Sequence, residues 1–324
     1  MKSCINILGI GHAFPENLIS NELFFDLASS AGNSKESEIF QEERISAEAA
    51  RRTVLDIDYL RNTGNRDTWQ SVHNMSDTPT NLAERAARMA LERANLKPED
   101  IGLVIGDCIT PLETTPSEGQ RLAGRLGLKV PSFDLSTPFG ALALQLEALN
   151  MISPAKLPDY VLLVSANTPT TRVNYSRGQA DALYLGDAAA AVVCSYNQRA
   201  GIKLKEIACW QIEREEFFCA PLYGEIDFKY DVFKKVTNNL SSFILKEDSS
   251  ADLVILPELF SLKLRPLIKA QTITTFEKVG YSLGAAEFIP LSLSWQDLSS
   301  MREIEVNVFS GDRLLKLKLE GKVV

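Results

Sequence analysis

Nucleophilic chemistry in this sequence of 324 residues would have to come from two histidines, five cysteines and one Gly-x-Ser-x-Gly pentapeptide. The pentapeptide, Gly280-Tyr281-Ser282-Leu283-Gly284, has the spacing of a nucleophile elbow, a sharp strand-to-helix turn that exposes a serine hydroxyl. Thr272 to Phe276 is the strand expected ahead of it. Such a serine gives its proton to a histidine that follows it in the chain, whereas His12 and His73 both precede Ser282, and Pro290 cuts short the next helix. Ser282 is therefore either the nucleophile of a stand-alone enzyme acting on an acyl thioester or ester, or the apex of a tight Gly-Ser turn. Cys108 is the other candidate nucleophile. The cysteines Cys4, Cys108, Cys194, Cys209 and Cys219 are odd in number, lack Cys-x-x-Cys spacing and lie mostly in apolar segments, which predicts reduced, buried thiols. His12 falls in the loop after the first strand and His73 in a polar connection, neither at metal-binding spacing from an acid or a cysteine. Gly9-Ile10-Gly11-His12-Ala13-Phe14 begins like a dinucleotide fingerprint, but Phe14 stands where the third glycine belongs and Pro15 interrupts the helix. With no Walker-type or zinc-ligand spacing either, no cofactor and no metal are expected.

The elements that must position these residues are readable in part. Ile5 to Ile10 is an apolar run with the character of a buried strand. Residues 25 to 75 are polar, with charges from Lys35 to Arg44, and read as loops and short helices laid over one face. Thr80 is placed to cap a helix whose Leu82, Ala86, Ala90, Leu91 and Ala94 recur at helical spacing, ending at Asn95 and Pro98. A strand over 101–106, a loop from Thr110 to Ser117, a helix over 118–126 and a strand over 132–135 follow. A helix from about Phe139 to Asn150 is apolar nearly all round, so it belongs inside a layered fold. Two more apolar strands, 160–165 and 188–194, precede a restart near Gly201: strand 202–210, amphipathic helix 228–245, strand 252–256. This repeated order suggests a duplication with its boundary near residue 199.

Composition bounds the rest. Apolar residues form 45% of the chain and charged residues 23%, enough to bury a large core. Forty-two acidic against 34 basic side chains leave a charge of -8, which argues against nucleic acid as the main partner. The apolar stretch at the amino terminus is too short for a signal peptide, and no run approaches the roughly 20 apolar residues of a membrane span. The expectation is a soluble, cytoplasmic protein.

The order and spacing of several segments resemble the thiolase-fold condensing enzymes, and specifically 3-oxoacyl-(acyl-carrier-protein) synthase III. They are Ile7-Leu8-Gly9-Ile10-Gly11 with Pro15-Glu16 and Asn21, Leu82-Ala83 through Ile101, Thr110-Pro111 with Pro116-Ser117, Arg125-Leu126-Gly127, and Phe133-Asp134-Leu135. To these is added Leu185-Gly186-Asp187 through Val193, which is similar to that family's Phe-Gly-Asp-Gly-Ala-Gly-Ala-Val-Val. The resemblance implies an α/β, thiolase-like fold of two duplicated βαβαβαββ halves, 1–199 and 200–324, in a five-layered α-β-α-β-α architecture.

It also implies where a catalytic triad would lie. In these enzymes a cysteine at the start of the central helix attacks an acyl thioester, and a histidine and an asparagine stabilise the charge that develops as the malonyl extender loses carbon dioxide. The cysteine position falls on Phe139. The family's Pro-His-Gln-Ala-Asn matches Pro257-Glu258-Leu259-Phe260-Ser261, which puts Glu258 at the histidine, where a carboxylate would repel a developing enolate; the asparagine of Gly-Asn-Thr falls on Tyr281. The glycine-rich turn of the oxyanion hole reads Phe309-Ser310-Gly311-Asp312.

The implied function is a non-catalytic structural or specificity subunit of a heteromeric synthase III-like condensing complex in fatty-acid-derived or secondary-metabolite biosynthesis. It would resemble the inactive half of the heterodimeric alkylquinolone-forming synthase. Its partner would be a catalytically active synthase III-like subunit, in a heterodimer or heterotetramer, with acyl carrier protein or acyl-CoA as a further partner and neither nucleic acid nor membrane. Glu113, Thr114 and Thr115 lie on the loop that in the family crosses the dimer interface, so Glu113 is either a base for the partner's pocket, as a glutamate is in the related olefin-pathway synthase, or a solvated loop charge. Lys263 aligns with a family arginine that docks the carrier protein and Arg265 is close by; a solvated helix face explains both equally well. Two competitors remain: the stand-alone enzyme using Ser282 or Cys108, and an inactive homodimeric binding protein for acyl-CoA or acyl carrier protein.

Overall fold

Strand β1 (Asn6–Ala13) has glycine at 9 and 11 because helix α1 (Pro79–Ala94) lies directly on it. A Cβ at Gly9 would stand 2.1 Å from the carbonyl oxygen of Ala90, and one at Gly11 2.0 Å from that of Ala86. The two glycines and the alanine face of α1 (Ala83, Ala86, Ala87, Ala90) bring strand and helix into backbone contact. The paired glycines thus serve packing, not a pyrophosphate.

The computed structural model describes residues 5–29, 46, 48–177, 180–198, 200–212, 216, 218–219, 224–244 and 249–321. After α1 the first half continues with β2 (Leu103–Gly106), α2 (Glu118–Arg125), β3 (Ser132–Asp134), α3 (Ala141–Met151), β4 (Val161–Asn167) and β5 (Ala188–Ser195). The second half has β6 (Ile202–Gln211), α4 (Tyr230–Ile244), β7 (Leu253–Ile255), β8 (Thr272–Ile273), α5 (Phe288–Leu293), β9 (Ile304–Phe309) and β10 (Arg313–Glu320). These strands form one mixed sheet in the order β8-β7-β9-β10-β6-β1-β5-β4-β2-β3.

The duplication is explicit in that order. Numbered within its own half, each set of five runs third, second, fourth, fifth, first, and the directions match too. β2 pairs in parallel with β3 and β4, and β5 is antiparallel to both β4 and β1; likewise β7 is parallel to β8 and β9, and β10 is antiparallel to β9 and β6. Along the sheet, among the described residues, the halves meet where Asn6 faces Lys203 and Ile7 faces Ile202, with the Leu204 amide donating to the Ile5 carbonyl at 3.0 Å. Residue 199, the expected boundary, lies outside the described residues.

Strands buried on both faces explain the continuous apolar runs. Along β5, Ala189, Ala191 and Val193 pack towards α1 and α2, while Ala188, Ala190, Val192 and Cys194 pack towards α3. That second layer also takes in Phe288, Ile289 and Leu291 of α5 and residues of β7, β9 and β10, so one apolar interior is built by both halves. A third cluster gathers Phe233, Val236 and Leu240 of α4 with Phe24, Tyr175, Tyr184, Phe139 and Tyr281.

Several expectations need correction. Thr78, not Thr80, caps α1 by accepting from the amide of Asn81, which leaves Pro79 in the first turn, where its missing N–H costs nothing. Within 25–75 the structure has a helix at Asn21–Ser29, a helix at Ile57–Thr63 and a strand at Ala50–Thr53 paired with Asn17–Ser20; the strand was hidden by its two arginines. The charged stretch 35–44 lies outside the described residues. Pro290 sits in the first turn of α5 instead of ending a helix. Among the described residues, no helix is long and apolar enough to cross a membrane.

The contact between β1 and α1 predicts that Gly11→Ala forces apart two backbones with no side chain to yield. It should destabilise the protein by about 1–3 kcal/mol or more, read as a lower urea midpoint at unchanged slope.

Candidate functional site

Helix α3 begins at Gly140, whose left-handed conformation (φ 64°, ψ 34°) admits no side chain without meeting Val308 of β9 at 2.2 Å. Phe139, immediately before it, is therefore held against the β9–β10 turn. Its ring lies edge-on to Phe309 at 5.1 Å and to Phe218 at 5.4 Å, and stacks on Tyr281 at 6.2 Å between centroids. Aromatic pairs in this range prefer such edge and offset arrangements. Phe139 is 5% exposed and Tyr281 1%.

Glu258 lies in the turn that follows β7 and is also 1% exposed. Its carboxyl accepts from the Thr274 hydroxyl at 2.8 Å and from the Thr275 amide at 3.1 Å, while its own amide donates to Glu287 at 3.4 Å. Burial pushes both Glu258 and Glu287 up to about 8, and the like charge of Glu258 raises Glu287 as well. Asp107, at the end of β2, accepts from Ser165 at 2.6 Å and Asn167 at 3.0 Å and is raised by burial to about 6. Burial and then these three acids hold the Tyr281 phenol well above its ordinary range. The structure thus brings Phe139 and Tyr281 into contact, with Glu258 close enough to act on Tyr281 electrostatically.

The electrostatic expectation for Glu258 changes accordingly. Below about pH 8 it is a carboxylic acid held by two threonines, not a carboxylate repelling an enolate. What remains at the three positions is a ring, an acid engaged with its neighbours, and a phenol, all closed to solvent. Sequence reasoning missed Glu287, Asp107 and Phe218; only an acid inside an apolar run, as in Ala285-Ala286-Glu287-Phe288, offered a signal.

The other candidates lie elsewhere or in unreactive settings. Ser282 follows a helical turn (Phe276–Val279), not a strand, because β8 stops at Ile273; its hydroxyl is fully buried with no hydrogen-bond partner. Gly284 of the same pentapeptide would place a Cβ 2.5 Å from that of Ala141, so this turn is shaped by packing on α3. His12 is not near Ser282 in bonding: its Nδ1 pairs with the Ser292 hydroxyl at 2.8 Å, and burial lowers it to about 4. His73 ends an exposed 3-10 turn. Cys108 is buried, and burial together with Glu118 and Asp107 pushes its thiol well above the ordinary value, the opposite of an activated nucleophile. Among the described residues no group of three or more histidines, cysteines or acids could hold a metal ion.

Glu113, Thr114 and Thr115 are exposed on the loop between β2 and α2. Glu113 is paired with Arg121 of its own chain at 2.5 Å and stands between two cavities of about 390 and 70 Å³. Nearby in sequence or fold are exposed apolar groups: Leu112, 42% exposed, Trp69 at 59%, and Phe133 at 48% on β3, the edge strand of the sheet. Lys263 is half-buried with its ammonium 6.0 Å from the Phe233 ring, and Arg265 is exposed in the next turn.

No family model matches the chain. Over 197 residues it is 27% identical to the beta-ketoacyl-[acyl-carrier-protein] synthase III of Campylobacter jejuni subsp. doylei, covering 57% of this chain and 60% of that protein. Over 127 residues it is 31% identical to the enzyme of the same description from Vesicomyosocius okutanii, covering 39% and 40%. The chain thus matches about three fifths of the length of the first of these relatives, or less. Solved structures align over nearly everything. The synthase III of Aquifex aeolicus VF5 gives a TM-score of 0.74 at 21% identity over 98% of this chain and 99% of that one. OleA of Xanthomonas campestris gives 0.78 at 18% over 98% of each, and AbyA1, a tetronic acid condensing enzyme, 0.76 at 18% over 98% and 100%. The fold is therefore the thiolase-like one, and the proteins that share it here are condensing enzymes.

Two measurements probe this interior. Because Glu258 and Glu287 hold their protons up to about pH 8 in the folded chain but only to about 4.5 when unfolded, the folded state binds more protons between those values, and stability falls as pH rises from 4.5 to 8. Glu258→Gln should flatten that slope and exceed the parent above pH 8 by on the order of 1.4 kcal/mol or more in chemical denaturation. Phe139→Ala removes a ring shared by three others and should cost about 3–5 kcal/mol, seen as a lower melting temperature.

Proposed function

We propose that this chain is a non-catalytic structural or specificity subunit of a heteromeric, synthase III-like condensing complex in fatty-acid-derived or secondary-metabolite biosynthesis, acting in the cytoplasm. The observation that carries the reading is the burial of Phe139, Glu258 and Tyr281, the three residues to which the sequence resemblance assigns the places of cysteine, histidine and asparagine. A phenyl ring has no nucleophilic atom. Losing a single oxyanion-type donor alone slows a reaction by about 100- to 1,000-fold, and here the nucleophile is missing as well.

Such a chain acts through what it binds. The partner is a catalytically active subunit of the same fold, and acyl carrier protein or acyl-CoA is the substrate carrier of the assembly. The loop with Glu113, Thr114 and Thr115 and the edge strand β3 with Phe133 are the surfaces we assign to that partner: an edge strand leaves backbone donors and acceptors unpaired, and large exposed apolar side chains on it call for cover. For Glu113 to serve as a base in the partner's pocket it must exchange Arg121 for the substrate. Lys263 and Arg265 are assigned to carrier-protein docking.

The stand-alone alternative is disfavoured by the buried, unassisted Ser282 and the raised Cys108 thiol. A homodimeric acyl-binding protein would need the interior that Phe139 and its neighbours fill.

Purified alone, the chain should consume no acyl thioester, and Phe139→Cys should not restore turnover, because Glu258 and Tyr281 remain. Co-expressed with the product of a neighbouring synthase-like gene, it should form a stable complex by native mass measurement, and the partner's product should vanish when it is omitted. Turnover by the isolated chain that disappears in Ser282→Ala or Cys108→Ala would overturn the reading, as would a covalent acyl adduct on this chain.

A further inference from the structure

Between β7 and β8 the chain makes an excursion, residues 257–271, through three short helical turns: Glu258–Phe260, Ser261–Leu264 and Arg265–Leu267. Among the described residues its backbone bonds close its own turns, as from Phe260 to Pro257 and from Ile268 to Arg265, and the first to another element joins Val254 to Gln271 at its root. β8, to which it returns, is the two-residue edge of the sheet. A segment with so few backbone ties to its surroundings opens more easily than the body of a fold. Leu259, Phe260 and Leu264 seat it on the interior, with Phe260 stacked on Phe233 at 5.1 Å and edge-on to Phe309 at 5.2 Å. Phe309 in turn packs on Phe139.

Two buried acids fasten this excursion. Glu258, at its start, accepts from Thr274 and Thr275 beyond β8, and its amide reaches the carboxyl of Glu287 at the start of α5, 3.4 Å away. Glu287 is less well met: two backbone amides, its own and that of Glu258, donate to it, and its Oε2 has no partner. No cation is among the groups that act on either acid. The charged and titratable groups packed against them from other elements do not supply one. Asp107, against Gly284, is itself an acid; the Tyr281 phenol is neutral; and Arg51, against Gly280, donates to Asn21. On the excursion and just beyond it, Arg265, Lys269 and Lys278 are exposed, and Lys263 and Glu277 are partly so.

We propose that residues 257–271 are a proton-held flap, closed while Glu258 and Glu287 are carboxylic acids and opening towards solvent as they ionise. A protonated acid fits this site as a neutral, hydrogen-bonded group. A carboxylate there has no cation and faces a second carboxyl group, so hydration on opening is what meets its charge. Burial holds both groups up to about 8 in the closed state against 4.5 in water, so the closed state binds more protons between those values and opening becomes easier as pH rises through them. Each proton released multiplies the opening constant by about ten per pH unit across that range, and neutral pH lies inside it. Opening lifts Phe260 from Phe309 and gives the interior beside Phe139 an entrance. The flap belongs to the chain itself and does not depend on a partner subunit.

Amide hydrogen exchange of the purified full chain between about pH 5.5 and 7.5, corrected for the intrinsic pH dependence of exchange, tests it. The amides of Glu258 and Thr275, which donate to the two acids, report on the flap, and those of β5 report on the body of the sheet. At about pH 7.5 the flap's opening constant should exceed that of β5 by about 100-fold or more, and it should rise about tenfold or more per pH unit. Glu258→Gln and Glu287→Gln, neutral groups of the same shape, should each lower that slope, and the double variant should reduce it to about twofold per unit or less. Thermal melts establish that each variant is folded, and Glu287→Gln alone decides the matter if the double variant is not. One opening constant shared by the flap and β5, a flap constant that does not change with pH, or an undiminished slope in folded Glu287→Gln overturns the proposal.

Discussion

The junction at the start of α3 is the constraint on which the rest of this molecule depends. There the central helix, the β9–β10 turn and the Gly280–Gly284 turn converge so closely that Gly140 and Gly284 have no room for a methyl group. Whatever side chain stands at 139 is delivered to the point where both halves meet. That point is filled by a ring packed on two further phenylalanines and a tyrosine.

That packing has an electrostatic side. Glu258, Glu287 and Asp107 crowd round Tyr281 without a cation among the causes of their shifts, so desolvation dominates and each holds its proton more tightly than in water. Hydrogen bonds from Thr274, Thr275, Ser165 and Asn167 offset part of that cost. An interior arranged in this way is most stable closed and protonated.

Much of the architecture was legible in the sequence. The uninterrupted apolar runs of β1, β4 and β5 could only be strands buried on both faces, and the apolar α3 could only be internal. The repeat of strand, helix, strand after Gly201 foretold the duplicated order of the sheet. The site was less legible for physical reasons. Arg51 and Arg52 disguised the strand Ala50–Thr53, since one of the two is buried and nothing local announces it. Thr78 and Thr80 offer equal capping chemistry, and the choice falls to the position of Pro79. The partners of Phe139 come from 218, 281 and 309, separations at which no local pattern operates, and the protonation of Glu258 depends on a burial that only the tertiary structure creates.

Among the described residues the two half-sheets touch along a short stretch about Asn6 and Ile7, yet the layer that holds α3 and α5 is apolar and shared. Neither repeat therefore owns a finished interior. Despite their matching topology they are not autonomous modules: a polypeptide ending after β5, or one starting at β6, would present a broad oily face to water.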